Sequence, residues 1–159
     1  MNSFKNNTMD EYPLGKAMGA ITKGYWGALS KKLEHIGIDR HFTTMVAIDT
    51  TKEKCTQQYL SDLLAIDKVA MVRVLDYLFA NGMITRDVNP LDRREHIIKH
   101  TAKAKRVMPV IHKGINEMNK IAFKGFSKNN QKLFNGFITT IILNLKSLPV
   151  NEVDIKIKK

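Results

Sequence analysis

The 159-residue sequence holds a single cysteine, Cys55, which excludes an internal disulfide and any Cys-rich zinc module and suits a reducing compartment. Long apolar runs are missing too. The stretch from Ile138 to Leu145 is interrupted by Thr139, Thr140 and Asn144 and is far too short to cross a bilayer, so no membrane role is expected. The opening MNSFKNNTMDEYP has no apolar core and no small-residue cleavage site, and a cytoplasmic location is expected. There is no P-loop, no Gly-rich dinucleotide fingerprint and no Cys-x-x-Cys pair. Scattered Ser and His without a motif make no catalytic triad, so neither an enzyme nor a cofactor is expected. Acidic residues are also scarce, 15 against 26 Lys+Arg, giving a net charge of +11 and raising the prior for an anionic partner. What is present is 43% apolar residues, enough for a core, with 26% charged, which excludes a disordered or fibrous chain.

Apolar periodicity makes most of the chain helical. Leu14, Met18, Ile21, Tyr25, Leu29, Leu33 and Ile36 follow one another in steps of three and four, a single stripe along a long helix that ends near Gly37. Val107, Ile111, Ile115, Met118 and Ile121 make a second stripe, in which Pro109 should kink the helix or mark its true start. Leu133, Phe137, Ile141, Leu145 and Leu148 make a third, widened by Phe134, Ile138 and Ile142. Such stripes at both ends exceed what one small domain buries, and they predict a homodimer. Lys156–Lys159 reads as a frayed tail.

The centre is punctuated differently. Short helices are predicted over 39–50, 56–65 and 67–81, with Thr56 and Asp67 as N-caps and Gly82 as a left-handed stop. Residues 83–88 and 95–99 then read as short strands around the turn Asn89-Pro90-Leu91-Asp92, with Pro90 at its second position. Three short helices, a hairpin and long flanking helices describe a mainly α protein with a small β-hairpin wing: a winged helix-turn-helix lobe in a helical platform. The second helix of the closely joined pair 56–65 and 67–81 is the one that enters a major groove.

On that second helix Met71, Leu75 and Leu78 should pack inward, leaving Lys68, Val69, Val72, Arg73 and Asp76 on the opposite face. Val69 and Val72 there either meet thymine methyls, with Arg73 reaching guanine or phosphate, or simply widen the buried stripe. Lys68, at the helix start, suits a phosphate. At the hairpin tip Arg93 and Arg94 either fit a narrow minor groove or form a solvated tip. One is expected to enter the groove while the other braces against Asp92 or phosphate, and Arg86 supports the wing or touches the DNA backbone.

The stretch Thr56-Gln57-Gln58-Tyr59-Leu60-Ser61-Asp62-Leu63-Leu64, the helix from Asp67 to Asn81, Gly82-Met83-Ile84-Thr85-Arg86, the wing run Asp92-Arg93-Arg94 and Thr101-Ala102-Lys103-Ala104 together resemble the MarR family of bacterial transcriptional regulators. The chain departs from that pattern at His100, where Leu is usual, at Ala104 for Gly, and at Ser61 for Ala. The resemblance implies one MarR-type domain over 1–159, with a DNA-binding lobe at 39–102 and a dimerisation region at 10–38 and 103–150. It implies double-stranded DNA contacts at Thr56, Gln57, Lys68, Val69, Val72, Arg73, Arg86, Arg93 and Arg94, with Asp92 supporting the wing and Arg94 the inserted residue. It further implies a dimeric repressor on a pseudo-palindromic operator, released by a small phenolic or lipophilic effector. Trp26, Tyr25, His41 and Met45 are pocket candidates, though such residues at helical spacing are more often core. Two other readings remain: an architectural protein coating DNA without sequence preference, and a winged interaction module that binds no DNA.

His96 and His100, four apart, would share a face of a helix, but on a strand they lie roughly 13 Å apart, too far for one metal ion. No metal site is expected there, nor from His35, His41 and His112, which have no Cys or paired carboxylate neighbours in sequence. Cys55 stands beside Lys52 and Lys54, which would lower its pKa and favour redox sensing; otherwise it is an incidental loop cysteine. The charge itself is unevenly placed. Residues 39–102 hold nine basic and nine acidic groups, whereas 103–159 hold twelve against three. Of these, Lys103, Lys105 and Arg106 lie close enough to the wing to reach phosphate, while the rest contribute a long-range, salt-screened field.

Overall fold

The computed structural model describes residues 13–52, 54–146 and 148; the tail Lys156–Lys159 and residues 10–12, 147 and 149–150 of the expected platform lie outside them. The element order is α1 (Leu14–Lys32), α2 (Phe42–Thr50), α3 (Gln57–Leu64), α4 (Lys68–Ala80), β1 (Ile84–Asn89), β2 (Asp92–His100), α5 (Ala102–Ala122) and α6 (Lys128–Lys146). The chain is mainly α with one antiparallel hairpin, and it divides after Ala122 into two compact units.

In the first unit only the C-terminal part of the α1 stripe meets the core. Leu29 and Leu33 are buried, while Leu14 and Ile21 stand exposed. The helix gives way at Leu33 to a 3₁₀ turn, Glu34–Ile36, closed by Gly37 at φ +70°. Across from α1 lies α5, where Gly114 leaves room for the δ-carbons of Leu29 and Leu33. Tyr25 joins the same helices, its hydroxyl donating to Asn119 Oδ1 at 2.8 Å.

Helix α5 begins at Ala102, and Pro109 lies inside it rather than at its start. Thr101 secures that start: its Oγ1 accepts from the Ala104 N–H at 3.2 Å and donates to the Gly82 carbonyl at 2.7 Å. Burial of Ala104, Met108 and Ile111 then offsets the hydrogen bond that Pro109 cannot donate.

The lobe is built around Phe42, Met45, Leu60, Met71, Leu75, Leu78, Ile84 and Ile98, all buried. Both expected caps form, Thr56 Oγ1 accepting from Tyr59 N at 3.1 Å and Asp67 Oδ1 from Ala70 N at 2.8 Å. Gly82 takes φ +66° after α4. β1 is displaced by one residue from the expected 83–88, and β2 runs longer than the expected 95–99. They pair from Ile84 with His100 through Val88 with His96, and again at Asn89 with Asp92. Because Val88 and Asn89 are consecutive, Arg93, Arg94 and Glu95 have no partners opposite and form a bulge. The loop before α3 adds a short third edge, with Ile98 N–H donating to the Cys55 carbonyl at 2.8 Å.

The second unit centres on α6. Phe123, Phe126 and Phe134 meet edge to face, with centroids 5.6 to 6.3 Å apart. No residue of α6 is buried; Leu133, Phe137, Ile142, Leu143 and Leu145 are exposed.

Candidate nucleic-acid interface

Helix α4 separates its two faces as its spacing requires. Met71, Leu75 and Leu78 are fully buried, and Lys68, Val69, Val72, Arg73 and Asp76 face outward. Val69 is 63% and Val72 38% exposed, so these valines do not widen the buried stripe. Arg73 makes no ion pair among the described residues, and its charge is open on this face.

The start of α3 is less open. Thr56 is buried, 6% exposed, because it pairs with Ile97 and its hydroxyl is already committed to the cap. The expected DNA contact at Thr56 is thereby left only a small exposed edge of the side chain. Gln57 is half-buried and borders a cleft of about 350 Å³ shared with Gln58, Arg86, Arg94 and His96.

In the wing, Arg93 and Arg94 lie within the three-residue bulge, and neither guanidinium pairs with another described residue. Of the two braces expected for an arginine, Asp92 or phosphate, the first is met here only by the main chain, Arg94 N–H donating to Asp92 Oδ1 at 3.0 Å. The bulge is held instead from below. Asn89, 1% exposed, accepts from Leu91 N at 3.1 Å and donates through Nδ2 to Glu95 Oε2 at 2.7 Å. Lys54 Nζ reaches the same oxygen at 2.6 Å. The hydrogen bond from Lys54 holds the Glu95 carboxyl below its ordinary pKa; burial opposes it, and Asn89 adds a smaller lowering effect.

Arg86 is the supporting residue of the set. Its Nη2 lies 2.6 Å from Asp76 Oδ1 and its guanidinium 5.6 Å from the Phe79 ring, so it ties β1 to α4. Lys103 is occupied as well, donating to the Asn81 carbonyl at 2.9 Å, which leaves Lys105 and Arg106 as the exposed cations just past the wing.

Other expectations resolve differently. Cys55 is buried, and burial raises its thiol pKa over the smaller opposing effect of Thr51. Lys54 is spent on Glu95, so the thiolate is disfavoured rather than activated. Of the pocket candidates, Trp26 lines a sizeable cleft, about 760 Å³, with Lys23, Ser30, Arg40 and Thr43. Tyr25 is turned to α5, His41 packs at a tilt against Tyr77 with ring centroids 4.9 Å apart, and Met45 is fully buried. His96 and His100 lie on β2, as the strand reading requires. Sequence reasoning missed Asp49, which faces both His100 and His112, and the Lys54–Glu95–Asn89 cluster. The only available signal was the polar Asn before Pro90, a residue that readily caps its own turn.

A capped helix pair with an exposed second helix, followed by a hairpin with unpaired arginines, defines a winged helix-turn-helix protein. More particularly, the chain has the MarR fold. It superposes on a MarR transcriptional regulator from Methanosarcina mazei Go1 with a TM-score of 0.76, at 26% identity over 85% of this chain and 98% of that one. It is similar to S. aureus MepR in a DNA complex, with a TM-score of 0.79 at 18% identity over 85% and 100% of the two chains. It is similar also to CouR from Rhodococcus jostii RHA1 bound to p-coumaroyl-CoA, with a TM-score of 0.73 at 19% identity over 92% and 100%. No family model matches the chain.

Proposed function

We propose that this chain is a cytoplasmic MarR-type transcription regulator that binds double-stranded DNA in a sequence-specific way, as a homodimeric repressor released by a small molecule. The observation that carries this reading is the pair of open surfaces on one lobe. Val69, Val72 and the unpaired Arg73 lie on α4, and the unpaired Arg93 and Arg94 lie on the wing. Helix α4 is the element for a major groove, and Arg94 the residue for the neighbouring minor groove, with Lys68 and Gln57 serving phosphate. The similar MepR, solved with DNA, supports this use of the fold.

Exposed Leu14 and Ile21 on α1, and the unburied apolar side chains of α6, support a second copy as partner. A two-fold dimer reads a pseudo-palindrome whose half-sites lie about one helical turn apart. The Trp26 cleft, lined also by Lys23 and Arg40, supports a phenolic or lipophilic effector, as does the similarity to CouR, solved with p-coumaroyl-CoA. The effector acts only through different affinities for DNA-competent and incompetent dimers.

The test is a binding titration on the DNA upstream of the chain's own gene at several salt concentrations, with footprinting. Protection of a discrete palindrome, and a loss of roughly 1–3 kcal/mol for Arg73→Ala and for Arg94→Ala, is the expected result. Uniform protection would point to an architectural coat, and unchanged affinity in both variants to a module that does not use this face.

A further inference from the structure

The bulge that carries Arg93 and Arg94 is fastened at its last residue. Glu95 Oε2 accepts from Asn89 Nδ2 at 2.7 Å and from Lys54 Nζ at 2.6 Å, so one oxygen joins the hairpin turn, the bulge and the loop before α3. Both neighbours make the contact specific. Asn89 is buried, so leaving its amide unpaired carries a desolvation cost that an exposed residue would not. Lys54 comes from the segment that leads into the α3 cap, so its pairing sets the wing's distance from the helix-turn-helix.

We infer that Glu95 is a positioning residue for DNA binding: held by Asn89 and Lys54, it fixes the three-residue bulge so that Arg93 and Arg94 are presented to the minor groove before DNA arrives. The inference rests on the DNA-binding reading above. Three residues without ladder partners would otherwise sample many conformations, and two adjacent guanidiniums drive each other apart. Ordering them in advance removes that cost from association. Glu95 itself touches no DNA in this account. Its carboxylate charge is matched by Lys54, which prevents it from repelling a nearby phosphate.

The test is a double-mutant cycle on operator affinity in the full chain, with thermal melting of each variant. Glu95→Ala should weaken binding roughly tenfold, as should Arg94→Ala. If Glu95 works through the arginines, adding Glu95→Ala to an Arg93→Ala/Arg94→Ala chain should cost less than about twofold. Glu95→Gln, whose amide oxygen still accepts from Asn89, should recover most of the affinity. Lys54→Met, a change at a partly exposed side chain, should give an intermediate loss and serves where Glu95→Ala melts early. An undiminished affinity in Glu95→Ala, or the same tenfold loss with the arginines absent, would overturn the positioning role alone. Failure of the parent chain to bind, or of Arg94→Ala to weaken binding, would instead overturn the DNA reading and this inference with it.

Discussion

His112 Nε2 lies 2.8 Å from Asp49 Oδ2, joining α5 to α2, and the other oxygen of the same carboxylate faces His100 Nδ1 at 3.6 Å. The His100 side chain is only 5% exposed, at the end of β2. Burial pushes its imidazole below the ordinary value of 6.5; Asp49 and the Met45 carbonyl pull it up, and Lys105 pushes it further down. His41 is shifted the same way by burial, over the opposing charge of Asp39.

A depressed imidazole makes stability fall with acid. The unfolded chain takes up the proton near pH 6.5, whereas the folded chain does so only at a lower pH, so the contribution is intact above 6.5 and is lost as pH drops toward the folded value. Each such histidine adds at most about 1.4 kcal/mol per pH unit to the slope. Urea unfolding should therefore show a lower midpoint at pH 5.5 than at pH 7.5. His100→Leu should flatten that dependence, leaving the part due to His41. An unchanged slope in His100→Leu would exclude the assignment.

Which features were legible in the sequence follows from how local their causes are. The α4 faces, the caps at Thr56 and Asp67 and the stop at Gly82 depend on neighbours within a turn, and the structure has them as expected. For Pro109 the local rule leaves a kink or a helix start open, and the structure selects against the start: Pro109 lies inside α5, beside buried Met108 and Ile111. The reach of β2 back to Asp92 was missed because its first residues are polar and bulged, with no alternation to see. Of the interface residues, period alone places Val69, Val72 and Arg73 opposite the core face, but whether the valines widen the buried stripe is decided only by their exposure in the fold. The burial of Thr56 could not be read from period, because it comes from pairing with Ile97. Asp49 finds His112 63 residues away, and Lys54 answers Glu95 rather than its neighbour Cys55. Such pairings arise only when the chain has folded.

The crossing of α1 on α5 is tight at one residue. A Cβ added at Gly114 would meet Leu29 Cδ1 and both δ-carbons of Leu33 at 3.2 Å, and both leucines are buried with little room to retreat. Gly114→Ala gains about 1 kcal/mol of helix propensity but overpacks this contact at a cost of about 1–3 kcal/mol. A net loss of about 1 kcal/mol is expected in urea unfolding. Gly24→Ala, with nothing near its added carbon, should instead stabilise by about 0.5–1 kcal/mol.

Thr56 separates a structural role from a DNA contact. Thr56→Val keeps the shape of this buried side chain but removes the acceptor for Tyr59 N–H, and should cost about 1 kcal/mol of stability. Thr56→Ser should retain the cap. At temperatures where both variants are folded, operator affinity should stay within about twofold of the parent, because the hydroxyl already serves the helix. A loss as large as that of Arg94→Ala would restore Thr56 to the interface.

The exposed valines give the most direct reading of the α4 face. If Val69 and Val72 lie against thymine methyls in the major groove, replacing those thymines by uracil removes a methyl from each contact and leaves the hydrogen-bonding edges unchanged. The parent chain should lose about 0.8 kcal/mol, roughly fourfold in affinity, for each methyl that a valine covers. Val69→Ala and Val72→Ala should bind the thymine operator more weakly and be nearly indifferent to the uracil substitution at the matching position, which also assigns each valine to a base pair. Arg73→Ala should lose affinity equally on both DNAs, since its partner is guanine or phosphate. Equal sensitivity to uracil in the parent and in both valine variants would remove the valines from base recognition, leaving their exposure on α4 to be explained by another partner.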